Sequence, residues 1–294
     1  MRASEKKVKK CKPDVPQIVI AVVLGIWALI IFYPFYNAVL TSIVPFHIAV
    51  NNPFMLYPPE LDFSSYYFIF NWPNLSYGLR TTVIVVIFGV VYGMFLTVTM
   101  AYVLSTRIPG RRIVNAFIVF TMFFNGGLIP TYLLIRNLGL VNNYLSMILP
   151  FGINIMNMMI MRSYFTTISP EFAEAARIDG AGEFTILMRI YLPLSTPMLA
   201  TIGLFIGVDR WNEWFNGMLY ITESQKRPLQ LLVRNIISST QIVTNNIPTA
   251  LRPAVYNEGI QMAAVMVAVL PIALIFPFLQ KYFVKGITLG GVKM

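Results

Sequence analysis

Cysteine and histidine are almost missing from this chain: one of each, Cys11 and His47, in 294 residues. A lone Cys excludes an internal disulfide. One Cys and one His supply no ligand set for zinc, haem or an iron–sulfur cluster, so no metal site is expected. With only His47 available there is no Cys–His or Ser–His–Asp system either, and no residue is assigned a catalytic role. The G-x-x-x-x-G-K-[ST] pattern is absent, which excludes ATP hydrolysis by a P-loop of its own. Charge is scarce too. Asp, Glu, Lys and Arg make up 12% of the residues, about half the ~25% usual in soluble domains.

Apolar sequence takes their place, at 57% of residues and a mean hydropathy of +0.68. A transmembrane helix needs roughly 20 mostly apolar residues. Suitable runs lie at about 18–44, 79–104, 113–135, 144–166, 193–215 and 259–283. The chain reads as an all-α polytopic membrane protein of about six spans. A basic tail (1–16), one transmembrane domain (17–284) and a C-terminal tail (285–294) divide it. The first run is too long for a signal-peptide core, and no A-x-A-like cleavage site follows it. Pro34, Pro130, Pro150, Pro197, Pro271 and Pro277 fall in or near the runs, where neighbouring helices can satisfy the freed carbonyls. No internal repeat or low-complexity tract is evident.

The formal charge is +10, with a pI of about 9.7. In a soluble protein that balance would suggest nucleic acid. Here the basic residues sit beside the spans and report topology instead, so no nucleic-acid partner is expected. With the N-terminus inside, 15 of the 22 Lys and Arg residues fall on inner segments, in the tail, at 106–112, at 162–190 and at 281–294. The outer loop 45–77 has none, and the long outer loop 216–258 has four. Both termini and the 169–193 loop are therefore expected in the cytoplasm of a bacterial cell (inner or plasma) membrane. The aromatic first outer loop, with Tyr57, Tyr66, Tyr67 and Trp72, reads as an interfacial belt or as a contact surface for an external partner.

The 169–193 loop is a polar island between long apolar runs. Ser169-Pro170 looks like a helix start, with Ser as cap and Pro in the first turn. Glu171 and Glu174 sit where the helix dipole favours carboxylates. Ala175 and Ala176 keep the helix thin enough for close approach by another protein. Gly180 reads as the break that ends it. A second, amphipathic helix is expected from about Gly182 to Tyr191, with Phe184, Leu187, Met188 and Tyr191 on one face. Leu192-Pro193 would turn the chain back into the membrane.

Glu174-Ala175-Ala176, three residues, Gly180, nine residues, Ile190-x-Leu192-Pro193 resembles the cytoplasmic signature of permease subunits of binding-protein-dependent ABC importers. The resemblance covers nearly all of residues 15–294. The stretches Gly127–Asn142, Trp211–Trp214 and Lys281–Lys293 are similar to the carbohydrate branch, of the maltose MalG type. Phe124-Asn125-Gly126-Gly127 further resembles the LplC/YtcP-like group that imports complex or acidic oligosaccharides. The resemblance implies a MalG-like fold in which the loop forms a coupling helix seated on an ATPase. It implies coupling roles for Glu174, Ala175, Ala176, Asp179, Gly180, Ile190, Leu192 and Pro193. Arg177 and Asp179 also read as plain surface charges. The implied partners are a paralogous second permease subunit, two ATPase subunits that carry the ATP and Mg, an extracytoplasmic sugar-binding protein and the lipid bilayer. The tail 285–294 reads either as a frayed end or as a segment reaching the ATPase interface.

Polar residues inside spans are costly and are functional candidates by default. Asn125, Asn154, Asn157, Trp211, Asn212, Glu213 and Trp214 form the candidate substrate pathway. Asn154 and Asn157 are expected to share a helix face, where helix–helix hydrogen bonding explains them as well as sugar contact does. Asp209 and Arg210 read as an interfacial anchor or salt bridge. Rival readings are a permease for another solute and an ATP-independent channel or carrier.

Overall fold

The computed structural model describes residues 15–291 apart from 107, 125 and 239–256. Candidate residue Asn125 therefore lies outside the described residues. All regular structure among the described residues is helical: α1 (Val15–Ser42), α2 (Phe46–Asn51), α3 (Ser64–Asn71), α4 (Pro73–Ser105), α5 (Arg111–Phe123), α6 (Leu128–Asn137), α7 (Leu145–Ile148) and α8 (Ile155–Phe165). Then come α9 (Pro170–Ile178), α10 (Glu183–Ile186), a π-turn (Leu187–Tyr191), α11 (Leu192–Leu194), α12 (Thr196–Trp211), α13 (Phe215–Tyr220), a 3₁₀ turn (Ser224–Lys226), α14 (Leu229–Ser238) and α15 (Asn257–Gly291).

Among the described residues, three helical stretches are long and apolar enough to cross a membrane: Pro16–Ser42, Pro73–Ser105 and Glu258–Ile275. Two bent pairs, α5 with α6 and Glu183–Leu194 with α12, would raise the number to five. The protein is thus an all-helical membrane protein with several spans.

Three of the expected spans are not continuous helices, the 193–215 run among them, since it breaks at Ser195 between α11 and α12. The 113–135 run is split into α5 and α6, and Gly127 precedes α6 at φ 89°, a conformation that favours glycine. The 144–166 run is split into α7 and α8. Pro150 has no N–H to continue a helical ladder. Asn154 then starts α8 as its N-cap, its side-chain oxygen accepting from the Asn157 N–H at 3.2 Å. The expectation that Asn154 and Asn157 share a helix face is corrected: Asn154 has extended backbone, and the two residues are joined by the cap itself. Helix α12 ends at Trp211, so Asn212, Glu213 and Trp214 lie beyond it. Most of the expected 285–294 tail is helical, because α15 continues to Gly291.

Helix α4 is the central element, packed against α12, α8 and α14, while α15 packs against α1, α12, α14 and α3. Its glycines set how closely neighbours approach. A Cβ at Gly93 would lie 3.0 Å from the Gly152 carbonyl oxygen, so the broken α7–α8 backbone rests almost directly on α4. One buried cluster joins α4, α8, α12 and the 169–193 loop through Val98, Tyr102, Met158, Phe165, Ile186, Tyr191 and Ile202. A second joins α3, the start of α4, α14 and α15 through Ile69, Leu75, Leu229, Val233 and Ile260. Helix α1 is apolar on all sides and exposes Leu24, Trp27, Leu29 and Phe32, the pattern of a helix solvated by lipid or by another membrane subunit.

Candidate functional site

The 169–193 loop folds as two short helical pieces joined by a glycine turn. Helix α9 starts at Pro170, whose ring suits the first turn. Ser169 occupies the cap position but makes no side-chain cap bond, so the expected capping contact is corrected to a backbone role. At the other end the turn is a Schellman motif. The Gly180 N–H donates to the Arg177 carbonyl at 3.0 Å and the Ala181 N–H to the Ala176 carbonyl at 2.9 Å. Gly180 has φ 83°, the left-handed conformation the sequence calls for.

The apolar face of α9 is narrow. Ala173 is its buried residue and Ala176 is half-buried, while Glu174, Ala175 and Asp179 are exposed. The two alanines of the motif are thus divided, Ala175 facing outward and Ala176 packing on the protein's own core. Around Glu174 the loop exposes large apolar side chains, with Phe172 56%, Phe184 73% and Ile178 86% accessible. Glu174 also lines an open cleft with Pro170, Ala173, Arg177, Glu183 and Tyr102.

The second piece is not one regular α-helix. After α10 the backbone widens into a π-turn at Leu187–Tyr191. The wider turn shifts which side chains face inward: Ile186, Leu187 and Tyr191 are buried, but Phe184 and Met188 are exposed. The expected common face of Phe184, Leu187, Met188 and Tyr191 is therefore corrected. Ile190 and Leu192 are half-buried against the loop cluster, and exposed Pro193 follows Leu192 in the first turn of α11. The chain then bends by 87° into α12 at Ser195, whose N–H donates to the Tyr191 and Leu192 carbonyls.

Three rings lock the loop to the long helices. Tyr191 meets Tyr102 of α4 edge-on at 5.0 Å and Phe165 of α8 at 5.4 Å, and Tyr102 meets Phe165 at 6.4 Å. Edge-to-face pairs at these separations are favourable beyond their buried area. Above them, the Tyr102 hydroxyl donates to Glu183 Oε2 at 2.6 Å. Arg177 donates to the same carboxylate, Nε to Oε1 at 2.8 Å and Nη2 to Oε2 at 3.3 Å. The Arg177 guanidinium, helped by the Tyr102 hydroxyl, holds the Glu183 carboxyl below its usual range. Burial pushes the Tyr191 phenol up. Arg177 is thus more than a surface charge. The partnership of Glu183 with Tyr102 had no sequence signal, because the two are 81 positions apart.

At the other end of α12, the candidate pathway residues are engaged with their own protein. Trp211 donates from its indole N–H to the Ala268 carbonyl of α15 at 3.1 Å. Glu213 accepts from the Asn216 N–H at 2.9 Å and from its side-chain amide at 2.8 Å, which fixes the start of α13. The Arg234 guanidinium covers the Trp214 ring at 3.5 Å. Asn157 is nearly buried, and exposed Asn212 donates to the Val208 carbonyl at 2.8 Å. Arg210, only 5% accessible, is the group whose weight the sequence understated. It donates from Nη1 to the Met147 carbonyl at 3.1 Å and from Nη2 to the Phe151 carbonyl. Glu213 lies 3.9 Å from it and exposed Asp209 3.8 Å. It is an internal clamp between α12 and the α7–α8 break, where an interfacial anchor was one expectation.

No family model matches the chain. Curated relatives and a solved structure do. Over 274 residues it is 38% identical to the polygalacturonan/rhamnogalacturonan transport system permease protein YtcP of Bacillus subtilis, covering 92% of this chain and 95% of that one. It is 37% identical over 241 residues to the protein LplC of the same organism, covering 82% of each. A crystal structure of a bacterial ABC transporter involved in the import of the acidic polysaccharide alginate contains a chain that superposes with a TM-score of 0.82 at 37% identity. The match spans 90% of this chain and 95% of that one. The π-turned loop, the all-helical body and these full-length similarities have one reading: the chain belongs to the permease subunits of the ABC importers of carbohydrate uptake systems, a transport component whose ATP hydrolysis occurs in separate subunits.

Proposed function

We propose that this permease translocates an oligosaccharide, acidic by preference, delivered by an external solute-binding protein, and that the 169–193 loop is its coupling site. The observation that carries the coupling role is the exposure of three large apolar side chains, Phe172, Ile178 and Phe184, on the loop that also exposes Glu174. Exposed apolar groups of this size beside a charge suit a protein contact. Glu174 would pair with a basic group of an ATPase subunit. Ala175 lets that subunit approach, and Gly180 holds the turn. Asp179, Ile190, Leu192 and Pro193 shape the loop and its return into α12.

The distribution of Lys and Arg supports a cytoplasmic loop and cytoplasmic termini in a bacterial cell membrane. About six crossings then follow, with α5–α6 and α7–α8 as broken ones. One coupling loop per chain implies a second, paralogous permease and two ATPase subunits, with ATP and Mg on the ATPases. The cargo reading leans on the names of the relatives, a polygalacturonan/rhamnogalacturonan permease and an alginate importer. Of the candidate pathway residues described, Asn154 and Asn212 are exposed; Asn154 is engaged as the α8 cap, and Trp214 lies two positions beyond Asn212. Asn125, Asn154, Asn157, Trp211 and Glu213 would act by shaping the pathway.

The test has two arms. In the assembled importer, Glu174→Ala should lose co-purification of the ATPase while the permease pair stays intact. In proteoliposomes, uptake is measured over a panel of galacturonate, alginate and neutral oligosaccharides beside amino acids. Transport that survives without any ATPase would sink the coupling reading, and uptake of amino acids alone would sink the cargo reading.

A further inference from the structure

One carboxylate joins three elements at the base of the 169–193 loop. Glu183 opens α10, accepts two bonds from Arg177 of α9 and one from Tyr102 near the end of α4. Helix α9 is joined to α8 by a short hydrogen-bonded turn and to α10 by the glycine turn. On its C-terminal side lie Gly180, with nothing within 4 Å of an added Cβ, and Gly182, equally open. Its apolar face is small, made of two alanines, buried Ala173 and half-buried Ala176. Tyr102, by contrast, is 5% accessible and wedged between Phe165 and Tyr191. It is a fixed point on α4. The Arg177–Glu183–Tyr102 chain is therefore the polar tether between a lightly held helix and a firmly held one.

We propose that Glu183 is a positioning residue which locks α9 to α4, so that a push on α9 reaches the spans as movement of α4 instead of being lost as a pivot at Gly180 and Gly182. The proposal rests on the docking of an ATPase at α9, and it names the route by which that docking drives the membrane helices. Helix α4 is the element through which such a push spreads furthest, since α8, α12 and α14 all pack on it. The tether supplies direction as well as attachment. The guanidinium engages both carboxylate oxygens, which fixes the two groups in one plane, and charge-assisted bonds of this kind are stronger than neutral ones.

The test uses the whole importer, with its partner permease and ATPase subunits, in lipid nanodiscs. In a Cys11→Ser background, spin labels are placed at Glu171→Cys on α9 and at Phe95→Cys on α4, both exposed positions. The distance distribution is recorded without nucleotide and with ATP, Mg and vanadate. The intact tether should give a narrow distribution that does not move, because α9 and α4 travel together. Tyr102→Phe, which keeps the ring and removes only the hydroxyl, and Glu183→Gln, which keeps the shape and removes the charge, should each broaden it and make it shift with nucleotide. Arg177→Lys, which keeps charge but not the fork, should fall between. All of this should occur with the ATPase still co-purifying. A distribution in Tyr102→Phe and Glu183→Gln as narrow and as immobile as in the wild type, with the ATPase bound, would overturn the proposal alone. Failure of the wild-type chain to retain the ATPase would overturn the docking reading and the proposal with it.

Discussion

Arg210 offers the sharpest test of how the broken α7–α8 segment is held. The side chain is 6% accessible, so water screens it little. It donates to the Met147 and Phe151 carbonyls, and its charge faces the Glu213 carboxylate, itself 9% accessible, at 3.9 Å. Replacing it by Met fills much of the space but leaves two carbonyls and a buried carboxylate without their cation. Removing one member of a buried pair costs about 3–5 kcal/mol, most of it from the uncompensated partner charge. For a chain of this size, each kcal/mol moves a thermal midpoint by about 2–4 °C, so Arg210→Met should melt roughly 6–20 °C early. Intrinsic tryptophan fluorescence reads this directly, because Trp211 and Trp214 flank the site. Glu213→Gln alone should cost less, since Arg210 keeps both carbonyls and the Gln can still receive the Asn216 N–H. The decisive measurement is the double variant Arg210→Met/Glu213→Gln. If the orphaned charge dominates, the double variant should be more stable than the sum of the singles, by about 0.5–3 kcal/mol. Strict additivity, or an Arg210→Met midpoint within a degree or two of wild type, would refute the clamp.

Gly180→Ala should weaken the loop, because a Cβ in the left-handed region costs roughly 1–2 kcal/mol; the readout is faster proteolysis within 169–193 and reduced ATPase retention. Gly217→Ala should destabilise by about 1–3 kcal/mol through overpacking, since the new Cβ would lie 2.6 Å from the Pro228 ring, and the thermal midpoint measures it. The tether should be insensitive to mild acid. The groups facing Glu183 are Arg177 of α9, Tyr102 of α4, Tyr191 of the π-turn and Glu174 across the cleft. Its carboxyl is depressed, first by Arg177. Its contribution is therefore complete above the unfolded carboxylate pKa of about 4.3 and is lost only as the pH falls through the lower folded value. An acid titration of the α9–α4 spin-label distance should stay flat down to that range and then broaden. Broadening already near neutrality would contradict the cause assigned.

Local chemistry made the 169–193 loop legible in the sequence. Pro170 begins a helix, Gly180 ends one, and the fixed spacing to Leu192-Pro193 returns the chain toward α12, because each step depends on neighbours within one or two turns. What the sequence hid was set by residues far apart. The π-turn at Leu187–Tyr191 follows from seating Tyr191 against Tyr102 and Phe165, and 3.6-residue periodicity assigns Phe184 and Met188 to the wrong side once the turn widens. The broken 144–166 run shows the same limit. Its hydropathy is that of a continuous span, yet Asn154 serves as a helix cap and the carbonyls of Met147 and Phe151 are taken up by an arginine about sixty positions along the chain. The cost of burying Arg210 therefore has a counterpart. In an apolar surrounding, the interrupted backbone needs donors that water would otherwise supply, and the guanidinium provides them. Polar residues in this permease's apolar stretches thus divide by what they answer. Arg210, Glu213 and Asn154 answer groups whose loss would undo the clamp or a helix start, whereas exposed Asn212 donates to the Val208 carbonyl, which already accepts the Asn212 backbone N–H, so Asn212 and the rim of Trp214 are the side chains to substitute first in the search for sugar contacts. If that division is right, Asn212→Ala should raise the half-saturating sugar concentration without moving the thermal midpoint, whereas Glu213→Gln should move the midpoint. The opposite pattern would place the cargo contacts on the clamp itself.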